Sequence, residues 1–273
     1  MGLTIGTAPS GEQAAGRFNA SLSAPDHLLY AEPTEKRVRV TFGGQTVADS
    51  GRVMMLHESG HTPVYYFPAG DVRADLLSRT DHATRCPVKG QASYWTVDAG
   101  GRRAENAVWA YERPLESAPW LAGHVAFDWN AMDAWFEEDE EVFVHPRDPY
   151  HRIDVLASSR HVRVSLDGTL LAESSRPKLL FETGLPVRYY LPREDVRTGH
   201  LEPSGTITRC PYKGTAGYWS VRAGGRLAED VVWTYDEPFH DAEAVRGLAC
   251  FYNERVDLEV DGQPRERPRT RFA

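Results

Sequence analysis

The sequence reads Arg85-Cys86-Pro87-Val88-Lys89-Gly90 and then Tyr94-Trp95, and it repeats this pattern as Arg209-Cys210-Pro211-Tyr212-Lys213-Gly214 and then Tyr218-Trp219. The copies lie 124 positions apart, and the same offset relates the stretch 38–127 to the stretch 162–251 without a gap. Roughly 40 of these 90 pairs are identical. The repeat has the length of a domain, not of a solenoid unit of about 20–50 residues. The chain therefore contains a duplicated domain.

The composition excludes several classes of protein. A length of 273 residues accommodates two domains that each bury a core without disulfides or a structural metal. A net charge of −8 argues against a nucleic-acid partner, because phosphate binding requires clustered positive charge. No stretch is typical of a signal peptide or a membrane span, so we expect a cytoplasmic protein with no membrane partner. The three cysteines lack Cys-x-x-Cys spacing, and we expect neither a metal nor another cofactor.

The predicted fold class is mainly β. Val38-Arg39-Val40 and Val162-Arg163-Val164 alternate apolar and charged residues, and Gly43-Gly44 and Asp167-Gly168 follow them as hairpin turns. Short helices are predicted only after Pro68 and Pro192. We predict antiparallel sheet in two tandem domains, with these boundaries: disordered leader 1–24, first domain 25–136, acidic and proline-rich joint 137–150, second domain 151–262 and tail 263–273. We expect a monomer in which the domains form a pseudo-twofold pair.

Cys86 and Cys210 are the candidate nucleophiles. Each follows an arginine and lies three residues before a lysine, Lys89 or Lys213, and neighbouring cations stabilise a thiolate. Most free cysteines are small buried core residues, and no base is assured nearby, so the residues alone favour the core role. Both interpretations stay open.

The offset also matches three pairs of acids and one pair of histidines: Glu58/Glu182, Asp71/Asp195, Glu105/Glu229 and His27/His151. Glu229 precedes the strand of Trp233 by four residues and is a candidate proton acceptor, although a surface role is commoner. A cysteine–histidine dyad shared by both domains would have to use His27 and His151, for which we favour a surface or structural role.

The repeated aromatic residues are either core or the walls of a ligand pocket. A pocket would combine them with a few polar and positively charged groups, and its guest would be an anionic or aromatic small molecule. The candidate ligand-binding residues are Arg85, Lys89, Tyr94, Trp95, Trp109, Tyr111 and Tyr66 in the first domain, and Arg209, Tyr212, Tyr218, Trp219, Trp233, Tyr235 and Tyr190 in the second.

These motifs resemble the family called domain of unknown function 427. Its pattern appears in full in the second domain, as Cys210-Pro211-Tyr212-Lys213-Gly214, Tyr218-Trp219, Trp233-Thr234-Tyr235 with Pro238, and Gly247 to Phe251. The first domain carries Val88 where the family has tyrosine, so a site that needs this hydroxyl should be sounder in the second domain. The resemblance implies a β-tent fold, two antiparallel sheets pinned at one edge, as in methionine-R-sulfoxide reductase. The label "nucleotidyltransferase-like" attached to the family finds no paired catalytic aspartates or phosphate loop here.

Three functions follow as hypotheses. The leading one is binding of a small molecule between the repeated Trp and Tyr residues. The second is an enzyme that uses Cys210, and also Cys86, as nucleophile or redox thiol, with Lys213 lowering the thiol pKa and Tyr218 or Glu229 moving protons. The third is a protein-interaction module that offers its sheet edges to a partner.

Overall fold

The computed structural model of the chain describes residues 27–270. Within this range the chain divides into two compact units, and the division falls between Asp148 and Pro149. The predicted leader, residues 1–24, lies outside the described residues. Both units consist of antiparallel sheets with short 3₁₀ helices, which confirms the predicted mainly β fold with tandem domains.

The first unit has the strands β1 (Leu29–Pro33), β2 (Val38–Phe42), β3 (Gln45–Ser50), β4 (Met54–Glu58), β5 (Val64–Pro68), β6 (Leu77–Cys86), β7 (Gly90–Ala99), β8 (Arg102–Ala110), β9 (His124–Phe127), β10 (Ala134–Glu137) and β11 (Glu140–Val142). The second has β12 (Ile153–Ala157), β13 (Val162–Leu166), β14 (Thr169–Ser174), β15 (Lys178–Glu182), β16 (Arg188–Leu191), β17 (Leu201–Cys210), β18 (Gly214–Ala223), β19 (Arg226–Thr234), β20 (Ala249–Phe251), β21 (Asp257–Val260) and β22 (Gln263–Arg265).

Between the strands lie 3₁₀ helices at Ala69–Asp71, Ala74–Leu76, Pro119–Leu121, Trp129–Ala131, Arg193–Asp195, Thr198–His200 and His240–Val245. In residues 27–270 no helix has the length and apolar character needed to cross a membrane.

Each unit contains a seven-stranded sheet and a four-stranded sheet. In the first unit the strand orders are β1-β4-β5-β9-β8-β7-β6 and β11-β10-β2-β3. In the second they are β12-β15-β16-β20-β19-β18-β17 and β14-β13-β21-β22. The strands correspond one to one, with the smaller sheet of the second unit read from its other end as β22-β21-β13-β14. The duplication seen in the sequence therefore extends to the whole topology.

The main core of each unit lies between its two sheets. Val38 and Val40 alternate with Arg39 along β2, and both valines are fully buried against residues of the larger sheet such as Phe67 and Val97. Val162 and Val164 do the same on β13. Burying such side chains stabilises the fold by about 1.5–3 kcal/mol each, which explains why the period of two decides the architecture.

The matched acids Asp71 and Asp195 are structural. Asp71 accepts hydrogen bonds from the Ser50 hydroxyl at 2.6 Å and the Arg52 guanidinium at 2.7 Å. Asp195 accepts from Ser174 at 2.7 Å in the same way. Each acid therefore joins the 3₁₀ helix that follows β5 or β16 to the smaller sheet.

The predicted joint is partly folded into the first unit. Glu137 ends β10 and Glu140 begins β11, so the acidic run forms a hairpin. Glu137 is buried, accepts hydrogen bonds from the Tyr65 hydroxyl at 2.8 Å and from the Arg147 backbone N–H at 3.2 Å, and forms an ion pair with Lys36. A buried acid needs such partners, and here three of them compensate for the lost hydration.

Candidate functional site

The repeated Cys-Pro-x-Lys-Gly motif closes a long hairpin in each unit. Cys86 pairs with Gly90 at the end of β6 and β7, and Cys210 pairs with Gly214 at the end of β17 and β18. Both glycines have a positive φ, 105° and 100°, which other residues adopt only with strain. A Cβ on Gly214 would lie 3.1 Å from the Glu237 carbonyl oxygen, so the turn packs closely against the loop after β19. This close packing fixes the position of the turn and therefore of its lysine.

In the second unit this lysine enters a buried ion pair. The Lys213 ammonium lies 2.6 Å and 2.5 Å from the two carboxylate oxygens of Glu182, the last residue of β15. His151 Nε2 lies 2.9 Å from Oε1 of the same carboxylate. An ionised carboxylate only accepts hydrogen bonds, so Nε2 of His151 carries the hydrogen. The three side chains therefore form one hydrogen-bonded network.

The first unit repeats the arrangement with its own residues. Lys89 donates to Glu58 Oε2, and His27 Nε2 lies 2.8 Å from Glu58 Oε1. Sequence reasoning matched Glu58 with Glu182 and His27 with His151 but did not join either pair to the lysine. Their equal spacing in the two copies was the available signal. The favoured structural role of the histidines agrees with these contacts.

The electrostatics of the network favour the ion pair over a free acid or base. Burial opposes ionisation of Glu182, but the charge of Lys213 and hydrogen bonds from His151 and Lys213 outweigh burial and lower the pKa of Glu182 to about 2. Burial likewise opposes ionisation of Glu58, and Lys89 and His27 reverse its effect, so the pKa of Glu58 is also lowered. At neutral pH neither carboxylate is a ready proton acceptor.

The two networks differ in what covers them. In the second unit the Tyr212 ring stacks on the His151 ring, with centroids 4.0 Å apart and an interplanar angle of 23°. Val88 occupies the Tyr212 position in the first unit. The side chain of His27 is 35% exposed, whereas that of His151 is 2% exposed. The Tyr212 ring therefore covers the histidine of its network, whereas in the first unit the histidine is exposed and the lysine is as buried as its counterpart, at 11% in both units.

The repeated aromatic residues form a second cluster in each unit, on the outer face of the larger sheet. In the first unit Trp109 Nε1 donates to the Tyr66 hydroxyl at 3.2 Å, and the rings meet edge to face. Trp233 and Tyr190 repeat this contact at 3.1 Å. Tyr94 and Tyr111, and their counterparts Tyr218 and Tyr235, belong to the same clusters. The Lys89 ammonium lies 5.7 Å from the centre of the Tyr111 ring, which makes the network and the cluster contiguous.

Other candidate residues are not gathered there. Trp95 and Trp219 point to the opposite face and pack against the core between the sheets, because successive residues of a strand alternate faces. Arg85 and Arg209 are exposed on the edge strands β6 and β17, and Glu105 and Glu229 are exposed on β8 and β19. Of the polar residues predicted to line the pocket, only the lysine of the turn and the tyrosine hydroxyls therefore lie at the aromatic cluster.

Four tyrosines of the clusters stay protonated at neutral pH. Burial raises the pKa of Tyr66 and Tyr111 far above the ordinary value, and the same holds for Tyr190 and Tyr235. Their hydroxyls are neutral donors and acceptors rather than latent phenolates. The clusters therefore offer hydrogen bonds without charge.

Cys86 and Cys210 lie half-buried at the motif turn, and Cys86 packs against the aromatic cluster. Within residues 27–270 neither thiol hydrogen-bonds to a base, and the lysine of each turn is paired with a glutamate. This environment resembles that of a packed thiol more than that of an activated nucleophile. Cys250, which has alanine at the matched position of the first unit, is fully buried, and burial raises its thiol pKa.

The aromatic cluster of the second unit also contains a buried ion pair that the aromatic cluster of the first unit lacks. The two terminal guanidinium nitrogens of Arg188, Nη1 and Nη2, each lie 2.7 Å from an oxygen of the Glu254 carboxylate, and the two side chains are 5% and 0% exposed. The Arg188 guanidinium lies 5.6 Å from the Trp233 ring, and Tyr252 packs on that ring at 4.5 Å. Sequence reasoning missed this feature, since the repeat gives no signal where the two copies differ.

Two cavities of the second unit lie outside its aromatic cluster. One of about 210 Å³ borders Leu166, Ala223 and Val231. Another, of about 350 Å³, borders Phe181, Tyr189 and Leu258. Trp233 itself is 7% exposed and Tyr235 is 5% exposed, so the aromatic cluster of the second unit is packed like a core.

Comparison with known families gives one result. A family model described as Domain of unknown function (DUF427) matches residues 30–138 and 154–262, one segment in each unit. No curated protein matches the chain.

Proposed function

The chain belongs to the DUF427 family, with two tandem copies of the domain, and on this premise we propose that it binds a small aromatic molecule at the motif turn of the first unit. The proposed site is bounded by His27, Glu58 and Lys89 and continues to the partly exposed Trp109 and Tyr94.

One observation carries the proposal. The second unit holds an aromatic ring, that of Tyr212, in stacking contact with His151 at 4.0 Å. The first unit keeps the histidine, glutamate and lysine but replaces this ring by Val88. A planar ligand on His27 would restore the contact that the second unit makes within its own chain. Such stacking contributes about 0.5–1.5 kcal/mol beyond the buried area.

The charges of the site indicate what else the ligand should carry. Lys89 and Glu58 largely neutralise one another, so the site does not demand a strongly anionic guest. A hydroxyl or amide beside the ring could hydrogen-bond to this pair or to the tyrosine hydroxyls. The proposed class is therefore a neutral or weakly acidic aromatic compound with one polar substituent.

The test uses indole, phenol and 4-hydroxybenzoate as probes of the full chain, with binding followed by saturation-transfer NMR. We expect at least one probe to bind the wild-type protein, and we expect Val88→Tyr to abolish this binding because the new ring fills the site. Val88→Ala is the matched control and should retain binding. Failure of all three probes, or equal binding to Val88→Tyr, would overturn the proposal.

A further inference from the structure

The second unit has a cavity of about 350 Å³ on a face whose counterpart in the first unit is covered by that unit's own chain. Leu179 and Phe181 on β15 and Tyr189 on β16 line this cavity. Their counterparts at the offset of 124 are Met55, His57 and Tyr65. Glu266 and Pro268, which follow β22, also line the cavity, so the same place in the duplicated fold can be compared under a buried cover and under a more open one.

In the first unit the chain after β11 lies on this face. Asp148, whose side chain has no exposed surface, brings its carboxylate to 3.9 Å from His57 Nδ1. The Arg147 N–H donates to Glu137, which also accepts from the Tyr65 hydroxyl. His145 is buried as well. A segment without regular secondary structure, carrying a buried acidic side chain, thus occupies the face.

In the second unit the face is apolar and open. Phe181 is 40% exposed, whereas His57 at the matched position is 3% exposed. Leu156 pairs with Leu179 across β12 and β15, points to the same side and is 50% exposed. Adjacent exposed apolar side chains of this size mark interaction sites on proteins.

The strand register shows how the chemistry of the face has changed. Glu137 pairs with Val38 in the first unit, and Val260 pairs with the matched Val162 in the second, so a valine replaces the buried acid. By the same register, buried Val142 opposite Trp135 corresponds to exposed Arg265 opposite Leu258. The second unit has lost an internal carboxylate and gained a cation at the rim.

The rim of the cavity is basic. It carries Arg160, which approaches Asp261 only to 3.6 Å, and Arg265, which forms no ion pair within residues 27–270. Glu266 is the one acidic residue of the lining. An occupant with negative charge near an apolar anchor complements this arrangement.

We propose that this groove of the second unit binds an extended acidic peptide segment of a partner protein, anchored by a large apolar side chain against Phe181. The cover of the first unit supplies the template for the occupant, namely a chain segment with a buried carboxylate. Arg160 and Arg265 favour a negatively charged peptide, and Phe181 and Leu156 favour a large apolar side chain as its anchor. The groove is separate from the motif turn of the first unit, so the proposal does not depend on the function proposed above.

The test is a selection of displayed random dodecapeptides on the full-length protein, followed by fluorescence anisotropy with the synthetic peptides. We expect enriched sequences to combine Asp or Glu with an aromatic or large aliphatic residue. Phe181→Glu and Arg265→Glu should each weaken binding at least tenfold, and both positions are exposed, so the fold should survive. Leu227→Glu, an exposed apolar position elsewhere in the unit, is the matched control and should bind normally.

Several results would overturn the proposal. One is the absence of peptides that bind wild type better than Phe181→Glu. Another is enrichment of sequences without acidic residues. Binding of 8-anilinonaphthalene-1-sulfonate that depends on Phe181, without any selected peptide, would assign the groove to small molecules instead. Peptide binding that tightens more than threefold when residues 271–273 are removed would assign it to the chain's own end.

Discussion

The two units carry the same histidine, glutamate and lysine, but each unit is closed where the other is open. Around the network, Tyr212 covers His151, while His27 is 35% exposed beside Val88. On the face of β15 and its counterpart β4 the order is reversed, since Phe181 is 40% exposed and His57 is 3% exposed. A duplicated fold thus keeps its sheets and changes the side chains that cover their faces.

This difference teaches that the polar network is a structural part of both copies, because it persists whether or not a ring covers it. What varies between the copies is the access of solvent and ligands to these residues. Access is also the property on which binding depends, so the open positions of each copy are where function should be sought.

The largest expected effect concerns the ion pair that only the second unit has. Glu254→Ala leaves the buried Arg188 guanidinium without its partner. It should lower the unfolding free energy of the second unit by about 3–5 kcal/mol. The matched Asn130→Ala in the first unit changes an exposed side chain and should cost under about 0.5 kcal/mol. Hydrogen exchange of strands from each unit, measured in the full chain, would show the loss. Equal effects of the two substitutions would contradict the asymmetry of the clusters.

The next effect is a dependence on pH. The folded-state pKa of Glu182, about 2, lies below its ordinary value of 4.5, so its stabilisation is complete above about pH 4.5 and is lost as the pH falls towards 2. This linkage contributes on the order of 3 kcal/mol.

Glu182→Gln should therefore destabilise the second unit at pH 6, and the gap to wild type should close as the pH falls. Denaturant unfolding followed by hydrogen exchange in β15 measures it, with Glu58→Gln as the matched control of smaller effect. A gap that stays constant from pH 6 to pH 2.5 would refute the assignment.

Exchanging the covering residues gives a medium effect. Tyr212→Val should destabilise the second unit by about 1–3 kcal/mol, since it removes a buried ring and its stacking on His151. Val88→Tyr should leave the first unit as stable as before or raise its stability by up to about 1 kcal/mol, as the added ring covers His27. Thermal unfolding with unit-resolved hydrogen exchange compares them. Destabilisation of the first unit by Val88→Tyr would show that the two turns are not equivalent.

The smallest effect belongs to an exposed ion pair found only in the first unit. Hydrogen bonds from Arg79 and Ser93 lower the pKa of Glu112 to about 2, but the Arg79 and Glu112 side chains are 54% and 47% exposed. Solvent screens such a pair, so Arg79→Ala should lower the unfolding free energy less than Tyr212→Val does. Salt titration of the unfolding free energy checks it, and a loss as large as that caused by Tyr212→Val would show that the pair is less screened than its exposure indicates.

The sequence predicted the architecture because the repeat and the period of two are properties of the chain itself. Val38 and Val40 alternate with charge, and Val162 and Val164 repeat them, so the sheets followed directly. The division of each aromatic pair between two faces also follows from strand alternation. A motif that combines Tyr94 and Trp95 does not separate the two faces, although adjacent strand residues lie on opposite ones.

The candidate site was only partly predictable. The lysine of the turn was identified, but its glutamate lies 31 positions away and is joined to it only by the sheet. Arg188 and Glu254 are 66 positions apart and have Val64 and Asn130 as counterparts, so the comparison of copies gave no reason to pair them. Contacts between distant strands that occur in one copy alone require coordinates.

The most direct test of the account is the reactivity of His27 and His151 towards diethyl pyrocarbonate, followed residue by residue with mass spectrometry in the full chain. Side-chain exposures of 35% and 2% predict that His27 is modified several-fold faster than His151. Tyr212→Val should raise the rate at His151 towards that at His27 and leave His27 unchanged. Equal rates in the wild-type protein, or no response of His151 to the loss of the Tyr212 ring, would contradict the claim that one copy is sealed and the other open.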